Sequence, residues 1–443
     1  MSKKSSQIAS ENMSMKFSKG WGIILYQALM FFFLIGFSID GLNIVAPAFA
    51  ESTGIAYDQV LGVATWAGMI GVVAYILIAR INVSVGPRLL SGVCLIGAGL
   101  SYIFLGHSTT LTTYFIALTL VTCFINGAAY IAGNTLIAQW FPKKKGLANG
   151  FTTMGHNCGS AFYVPLISFT IGAFGFANGM SYVAVGAIVL GIIGLVLVRN
   201  TPQECGMYPD NVTREVYERE YFQGNSEDNG GWTAGKLLKT KELWLCALII
   251  GINQLVTTGV MSQLVVRNTS LGFSQEAAVG LMTVCAIIGV CGSYLFGAID
   301  QKFGVKKAII LFLIWYCIAL AINCTDTTIG VYVSVAMIGI AVGAAANFIV
   351  SLPASVFGRH GFTMVNSVFF PLMQIVLMTN YQVNAFAIRV TGSLRGAYIF
   401  YIGLLVVNMI LNRHHPSHQV QQGRGYRAGA DEVIRSPPIS ISL

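Results

Sequence analysis

The chain contains twelve stretches of mostly apolar residues, each long enough to cross a lipid bilayer as a helix, which takes about 20 residues. They occupy residues 21–47, 57–79, 89–106, 112–138, 147–172, 178–198, 243–266, 275–298, 307–323, 328–352, 363–388 and 396–412. Lipid offers the backbone no hydrogen-bond partner, so only helices or closed barrels cross it, and these stretches lack the short alternation of barrel strands. The sequence therefore predicts an all-α integral membrane protein with 12 transmembrane helices.

The distribution of charge predicts how the helices are oriented. Charged residues make up 10% of the chain, against roughly 25% in soluble domains. All but three of the 26 Lys and Arg residues precede the first stretch, lie in alternate loops or belong to the C-terminal tail; the exceptions are Arg267, Arg389 and Arg395. Basic loops stay in the cytoplasm, so we predict a multi-pass protein of the cell (plasma or inner) membrane with both termini cytoplasmic. The net charge of +9 reflects this topology, and we expect no nucleic acid as a partner.

The chain divides into two halves. A polar linker at residues 200–242 separates a six-helix bundle at 21–199 from another at 243–412, flanked by a cytoplasmic N-terminus at 1–20 and a cytoplasmic tail at 413–443. The segments "ARINVSVGPRLL" and "GAIDQKFGVKKA" follow the second stretch of each half, and Gly86 aligns with Gly304. Two related halves are typical of pseudo-symmetric transporters, which bind substrate near the midplane between the halves.

These basic turns carry a resemblance to a known family. The major facilitator superfamily has the signature G-x-L-A-D-R-x-G-R-R, of which the first turn keeps Gly86, Pro87 and Arg88. Within the superfamily, "AQWFPKKKGLANG", "MGHNCGSAFYVP" and "TPQECGMYPDN" resemble the oxalate/formate antiporter family. The resemblance implies the major facilitator fold, with two pseudo-symmetric six-helix bundles, helices 3, 6, 9 and 12 on the outside, and eight helices around a central cavity.

One departure from the family bears on the substrate. Family members that carry a dicarboxylate resemble each other in having an Arg on helix 8 and a Lys on helix 11. Here the helix-8 position is Ser293, and the helix-11 stretch contains no Lys. The cationic clamp for a small dianion is missing, so oxalate itself is not expected.

Polar residues on the inner helices are the candidates for binding. The substrate-binding candidates are Asp40, Asn126, Tyr130, Asn134, His156, Asn157, Gln254, Asn347, Gln374 and Tyr381. Spacing at i, i+4 and i+8 predicts one shared face for the three on helix 4. Polar stripes often line a substrate path, but amides in membrane helices also join helices to each other, for about 0.6 kcal/mol on average. Both readings remain open for each amide.

Two further roles are assigned from residue type. Asp40 and His156 are the candidates for proton coupling, although His156 is equally compatible with a packing role. Arg88, Asp300 and Lys302 are the gating candidates, because cations in the short turns can brace the C-terminal carbonyls of helices and neighbouring acids. We expect no metal site, since His414, His415 and His418 fall in a solvated basic tail.

The sequence contains no nucleotide-binding loop, hydrolase elbow or HExxH motif, so we do not expect an enzyme or a cofactor. We expect a secondary active transporter that moves a small organic anion, similar to a monocarboxylate, by alternating access as an exchanger or proton symporter. The alternative is a carrier for a cationic or zwitterionic solute, or a drug-like compound, that pairs with Asp40. The expected partners are the small-molecule substrate and the lipid bilayer, and the protein is expected to be a monomer.

Asp40 interrupts the apolar stretch "FFFLIGFSIDGLNIVAPAF", where an unpaired charge costs about 2.5 to 3.5 kcal/mol on insertion scales. We predict that Asp40→Asn abolishes gradient-driven accumulation of substrate, because the amide keeps the size and hydrogen bonding but cannot carry the charge. Accumulation is measured in vesicles over a range of pH, with the amount of protein in the membrane as the control. Unchanged accumulation and pH dependence would leave Asp40 as an interfacial or structural residue.

Overall fold

Twelve helical segments make up the membrane-spanning part of the protein. The structure is a computed structural model and describes residues 19–142, 144–220, 232–357 and 362–413. The segments are α1 (Lys19–Ser38 and Leu42–Thr53), α2 (Tyr57–Val85), α3 (Pro87–Gly106), α4 (Leu111–Trp140), α5 (Lys145–Cys158, Gly159–Tyr163 and Val164–Phe174), α6 (Phe176–Leu197), α7 (Lys241–Met261 and Leu264–Ser270), α8 (Gln275–Phe303), α9 (Val305–Asn323), α10 (Thr328–Phe357), α11 (Phe362–Met378 and Asn380–Thr391) and α12 (Arg395–Arg413).

Length and composition support the membrane assignment. In the described part of the chain, 10 helices are each long and apolar enough to cross a membrane, and the bent helix α2 brings the number to 11. The remaining segment, α11, is interrupted at Thr379. The described residues contain no strand. The prediction of an all-α integral membrane fold is confirmed.

The segments pack as two bundles that meet mainly along three helix pairs. In the first half, α3 packs against α4 and α6, and α1 packs against α4 and α5. In the second half, α10 packs against α8 and α9, and α7 packs against α11 and α12. The most extensive contacts between the halves join α1 to α7, α2 to α11, and α5 to α8. Each helix of the first half corresponds to the helix six places later in the second half, so α2 corresponds to α8 and α5 to α11. The α2–α11 contact therefore corresponds to the α8–α5 contact, as expected for two pseudo-symmetric bundles. The domain boundaries near residues 200 and 242 remain predictions.

The two basic turns have the same backbone conformation. Gly86 precedes α3 with φ 82° and ψ 156°, and Gly304 precedes α9 with φ 84° and ψ 153°. A positive φ of this kind is strained for residues with a Cβ atom and is readily adopted by glycine. The two glycines that align in the sequence therefore occupy equivalent turns of the two halves. We call the end of the molecule that carries these turns the basic end.

The opposite end is closed by contacts between the halves, and we call it the closed end. The hydrogen bonds and ion pairs that the structure describes between the halves lie from mid-membrane to this end. They are Asn43–Met261, Asn43–Val265, Tyr57–Gln263, Asp58–Arg389, Ser38–Tyr381, Ala161–Thr283 and Ser168–Gln275.

Asn43 makes the central contact of the closed end. It lies just after a break in α1 at residues 39–41, opposite a break in α7 at residues 262–263. Its side-chain nitrogen donates to the Met261 carbonyl at 2.7 Å, and its oxygen accepts from the Val265 N–H at 3.0 Å. Buried backbone groups need a partner, above all where no water reaches them. One amide from the first half therefore satisfies two backbone groups beside the α7 break.

Several helices extend beyond their predicted limits, and two of these extensions include an arginine that was assigned to a loop. α7 continues past its break to Ser270 and α11 continues to Thr391, so Arg267 and Arg389 lie in helices where the sequence predicted loops. Arg267 is buried and forms an ion pair with Asp326. For α7 the apolar criterion ends the span too early, because a buried charge with a partner can extend a helix.

We predict that Asn43→Ala opens the closed end. Losing two net hydrogen bonds of about 0.5–1.5 kcal/mol each should raise the open-to-closed ratio roughly 5- to 140-fold. The distance between spin labels at Ser52→Cys and Ser270→Cys, which are exposed near the ends of α1 and α7, measures the population, with the exposed Cys158 and Cys291 replaced by Ser.

The matched control is Asn384→Ala. Asn384 is also fully buried and donates to the Gly259 carbonyl at 3.0 Å, but this bond stays within the second half. Its loss should reduce stability without shifting the distance distribution. Identical distributions in the wild type and in Asn43→Ala would contradict the assigned role of Asn43.

Candidate functional site

A small cavity lies between the two halves near mid-membrane. Its main part, of about 40 Å³, is bounded by α1, α2 and α4 of the first half and by α11 of the second. Four predicted site residues line it: Asn126, Tyr130, Gln374 and Tyr381. The Tyr381 hydroxyl donates to the Ser38 carbonyl at 3.1 Å, across the interface between the halves. The cavity therefore unites polar candidates from both halves.

The polar groups of the cavity are neutral. Asn126 donates to the Thr122 carbonyl one turn earlier, at 2.7 Å. The Gln374 amide oxygen is buried and has no hydrogen-bond partner among the described residues. None of the described residues that line the cavity is Lys or Arg. The cavity can thus offer hydroxyl and amide groups to a solute, but no fixed positive charge.

Aromatic rings surround Tyr130 and connect it to His156. The Tyr130 ring centroid lies 5.2 Å from that of Phe370 on α11 and 5.6 Å from that of Phe31 on α1. Phe31 in turn meets the His156 imidazole edge to face at 4.3 Å. The His156 Nε2 atom is buried without a hydrogen-bond partner among the described residues. His156 therefore packs against Phe31 and is not among the residues that line the cavity.

Asp40 occupies the break in α1, on the side of α5. Its carboxylate accepts a hydrogen bond of 2.5 Å from the Ser160 hydroxyl, and its side chain is 4% exposed. The neighbouring Ile39 and Leu42 line the cavity, whereas Asp40 does not. The α1 break therefore directs Ile39 and Leu42 toward the cavity and the Asp40 carboxylate toward α5.

Two candidates of the second half are bonded to neighbouring helices. Gln254 on α7 donates to the Ala345 carbonyl of α10 at 3.1 Å. Asn347 on α10 donates to the Ser293 carbonyl of α8 at 2.7 Å and accepts from the Ser293 hydroxyl at 3.0 Å. The structure does not bring these amides to the cavity, and their contact with a solute stays a prediction.

The two remaining candidates, Asn134 and Asn157, also lie away from the cavity. Asn134 accepts a long hydrogen bond, 3.5 Å, from Gln27 on α1. A π-helical turn at Gly127–Gly133 precedes it, and because such a turn holds more residues than an α-helical one, the i, i+4, i+8 spacing does not keep Asn134 on the face of Asn126. Asn157 is half-buried beside His156.

The gating candidates lie at the basic end. Arg88 donates to the Leu195 carbonyl near the C-terminus of α6, at 3.0 Å from Nε and 2.5 Å from Nη2. This is the geometry that bracing requires. Asp300 lies in the last turn of α8, and the Lys302 ammonium lies 5.3 Å from the centre of the Phe303 ring. Their role in gating stays a prediction.

Sequence reasoning missed several residues that shape the site. Asn43 and Gln27 are amides in the apolar stretch of α1, a signal that was available beside Asp40. Gly68 and Met378, which line the cavity from α2 and α11, carry no signal, because glycine and methionine are common in membrane helices.

Comparison with known proteins gives a family match. The family model described as Major Facilitator Superfamily matches residues 28–379. The oxalate:formate antiporter of Oxalobacter formigenes is 25% identical over 264 residues, which are 58% of this chain and 57% of that protein. The glycerol-3-phosphate transporter of Bacillus subtilis (strain 168) is 27% identical over 179 residues, 39% of each chain. The matches thus cover about half the length of these curated relatives.

Solved transporter structures share the fold. The xylose transporter XylE from E. coli, in a partially occluded inward-open conformation, superposes with a TM-score of 0.69 at 12% identity and covers 90% of this chain and 98% of its own. A bacterial homologue of the human lysosomal transporter Spinster, inward-facing and occupied, gives 0.63 at 15% identity, covering 89% and 96%. At these identities the likeness concerns the fold alone.

We predict that Gln374→Leu raises the apparent transport constant. Losing one hydrogen bond of about 0.5–1.5 kcal/mol to the solute corresponds to a change of roughly 2- to 12-fold. Substrate exchange in proteoliposomes measures the constant. Asn347→Ala is the informative comparison, because breaking its bonds to Ser293 should lower thermal stability and leave the constant unchanged. An equal rise in both variants would favour a binding role for Asn347 as well.

Proposed function

We propose that this chain, which belongs to the major facilitator superfamily and is a multi-pass secondary transporter, carries one class of substrate. That class is the small organic anions with a single carboxylate. The observation that carries the proposal is the cavity between the halves, with Tyr130, Asn126 and Gln374 on its walls and no Lys or Arg in its lining. The protein is not an enzyme, since the superfamily moves solutes without changing them.

The neutral lining limits the charge that the cavity can accept. A hydroxyl and amide groups can donate to one carboxylate, whereas burying a charge without a partner or counter-ion is costly. A dianion would double the charge to be stabilised. The two relatives named above are transporters of oxalate and formate and of glycerol 3-phosphate, which are anions. Their substrates support an anion here, and the neutral lining favours the singly charged class.

Asp40 is the group that binds and releases the coupled proton in this proposal. It is buried in the break of α1 and has one described side-chain partner, the Ser160 hydroxyl. Uptake and release of a proton by Asp40 would offset the charge of the solute within the membrane. Both proton symport and anion exchange agree with this arrangement.

A cationic or zwitterionic solute is the second candidate, and the Asp40 carboxylate is the observation that favours it. The direction of the side chain speaks against a direct ion pair, because Asp40 faces Ser160 and does not line the cavity. The anion remains the better supported substrate.

We further propose that the transporter acts as a monomer in the cell membrane with both termini in the cytoplasm. The cavity lies between the two halves of the same chain, so a second copy is not needed to form it. The basic turns after α2 and α8 lie at one end of the molecule, which the positive-inside rule assigns to the cytoplasm.

The proposal is tested by exchange in proteoliposomes. Vesicles are loaded in turn with formate, acetate, lactate, oxalate or choline, and uptake of the labelled compound is followed with and without a pH gradient. We expect exchange of the monocarboxylates several-fold above protein-free vesicles, which control for passive entry of the neutral acids, and little exchange of oxalate. Exchange of choline without any exchange of the acids would reverse the assignment of substrate class.

A further inference from the structure

We propose that Gly68 and Met378 form a size filter that sets the longest solute that the cavity accepts. The inference rests on the proposed function for the choice of acids, and it concerns the shape of the site. Gly68 belongs to α2 of the first half and Met378 to α11 of the second. The filter therefore forms only where the two halves meet.

The filter lies between two parts of the cavity. The larger part, about 40 Å³, extends toward Tyr381, and a smaller part, about 20 Å³, extends toward Tyr75 and Phe370. Both parts share the same four residues: Gly68, Asn126, Gln374 and Met378. Asn126 and Gln374 are the amides that can bind a carboxylate. Gly68 and Met378 therefore determine how much apolar space remains beside that carboxylate.

The fit between Gly68 and Met378 leaves no room for a larger residue. A Cβ atom added to Gly68 would lie 3.0 Å from the Met378 Cγ atom and closer still to its Sδ atom. The clash falls on a flexible side chain and not on the backbone, so Met378 can move. A methyl group at position 68 would thus push the thioether into the space between the two parts of the cavity.

The position of Met378 explains why it can act as the filter. It ends the first segment of α11, and the helix is interrupted at the next residue, Thr379. Leu377 and Tyr381 on either side of it also face the cavity. The thioether thus extends from the broken part of α11 across to the bare backbone of α2, where a solute tail would lie.

The test uses a chain-length series and three variants. Acetate, propanoate, butanoate, pentanoate and hexanoate, together with the matching alkylamines, are measured for exchange in proteoliposomes and for the stabilisation of purified protein against thermal unfolding. Met378→Ala removes three heavy atoms, and we expect the preference for pentanoate over acetate to rise at least roughly 10-fold. Gly68→Ala should lower that preference, and the double variant Gly68→Ala/Met378→Ala should return toward the wild type.

Matched controls separate the filter from general effects. Gly280→Ala adds a methyl group to α8 where nothing lies within 4 Å. Ile375→Ala shortens a side chain on α11 that is 45% exposed and does not line the cavity. Both should keep the wild-type length profile. Met378→Leu, which preserves the volume, should keep it as well. If Met378→Ala folds poorly, Gly68→Ala still tests the filter, because it should lower the preference for pentanoate without removing any side chain.

The outcomes distinguish the filter from the proposed function. If only the amines bind, the anion assignment fails, but the same shifts in length preference along the amine series would still support the filter. An unchanged length profile in Met378→Ala and Gly68→Ala, or the absence of any length dependence in every variant, would overturn the filter. A double variant whose length preference stays as low as that of Gly68→Ala, in place of rescue, would also overturn it.

Discussion

The hydrogen bonding of backbone groups inside the membrane governs this structure. An intact helix satisfies its own N–H and C=O groups, and any break leaves groups that need a partner where no water is available. α1 and α7 are both broken near the closed end, at residues 39–41 and 262–263. The Asn43 amide bonds two backbone groups beside the α7 break and also donates to the carbonyl of Asp40 at 2.9 Å. The α7 break is thus stabilised by an amide from the opposite half, and the same Asn43 side chain supplies a partner at the α1 break within its own half.

The α1 break also divides the chemistry of the site between two faces of one helix. Ile39 and Leu42 contribute to the cavity wall, and Asp40 between them meets Ser160 on α5. A solute in the cavity and a proton on Asp40 would therefore act on the same short, irregular segment without touching each other. Any movement that straightens or bends this segment changes both environments together, which is a physical route by which two gradients can be linked.

The architecture could be predicted from the sequence because a membrane leaves few choices. A stretch predicted at 275–298 is the helix Gln275–Phe303, and the pairing of Gly86 with Gly304 recurs as two turns of matching φ and ψ. Helix limits were less accurate where a buried ion pair, such as Arg267 with Asp326, extends a span.

The site was only partly predictable, because periodicity says which face of a helix is polar but not what lies opposite that face. Asn126 and Gln374 line the same cavity. Asn347 is likewise an amide in an apolar stretch, but it bonds to Ser293 on the neighbouring helix α8. The π-helical turn in α4 was not visible in the residue spacing. The contact between Gly68 and Met378 depends on how two distant helices approach, which no local pattern encodes.

The two sides of the closed end are held by different kinds of force. On the α2–α11 side, Asp58 and Arg389 form an ion pair of 3.4 Å, while on the symmetry-related α5–α8 side, Gln275 donates to the Ser168 hydroxyl at 3.3 Å. Dissolved salt screens the partly exposed charges but hardly affects a neutral hydrogen bond. Rising ionic strength would thus weaken the α2–α11 contact and leave the α5–α8 contact intact. The closed end would then open on the α2–α11 side, with the α5–α8 contact as the hinge.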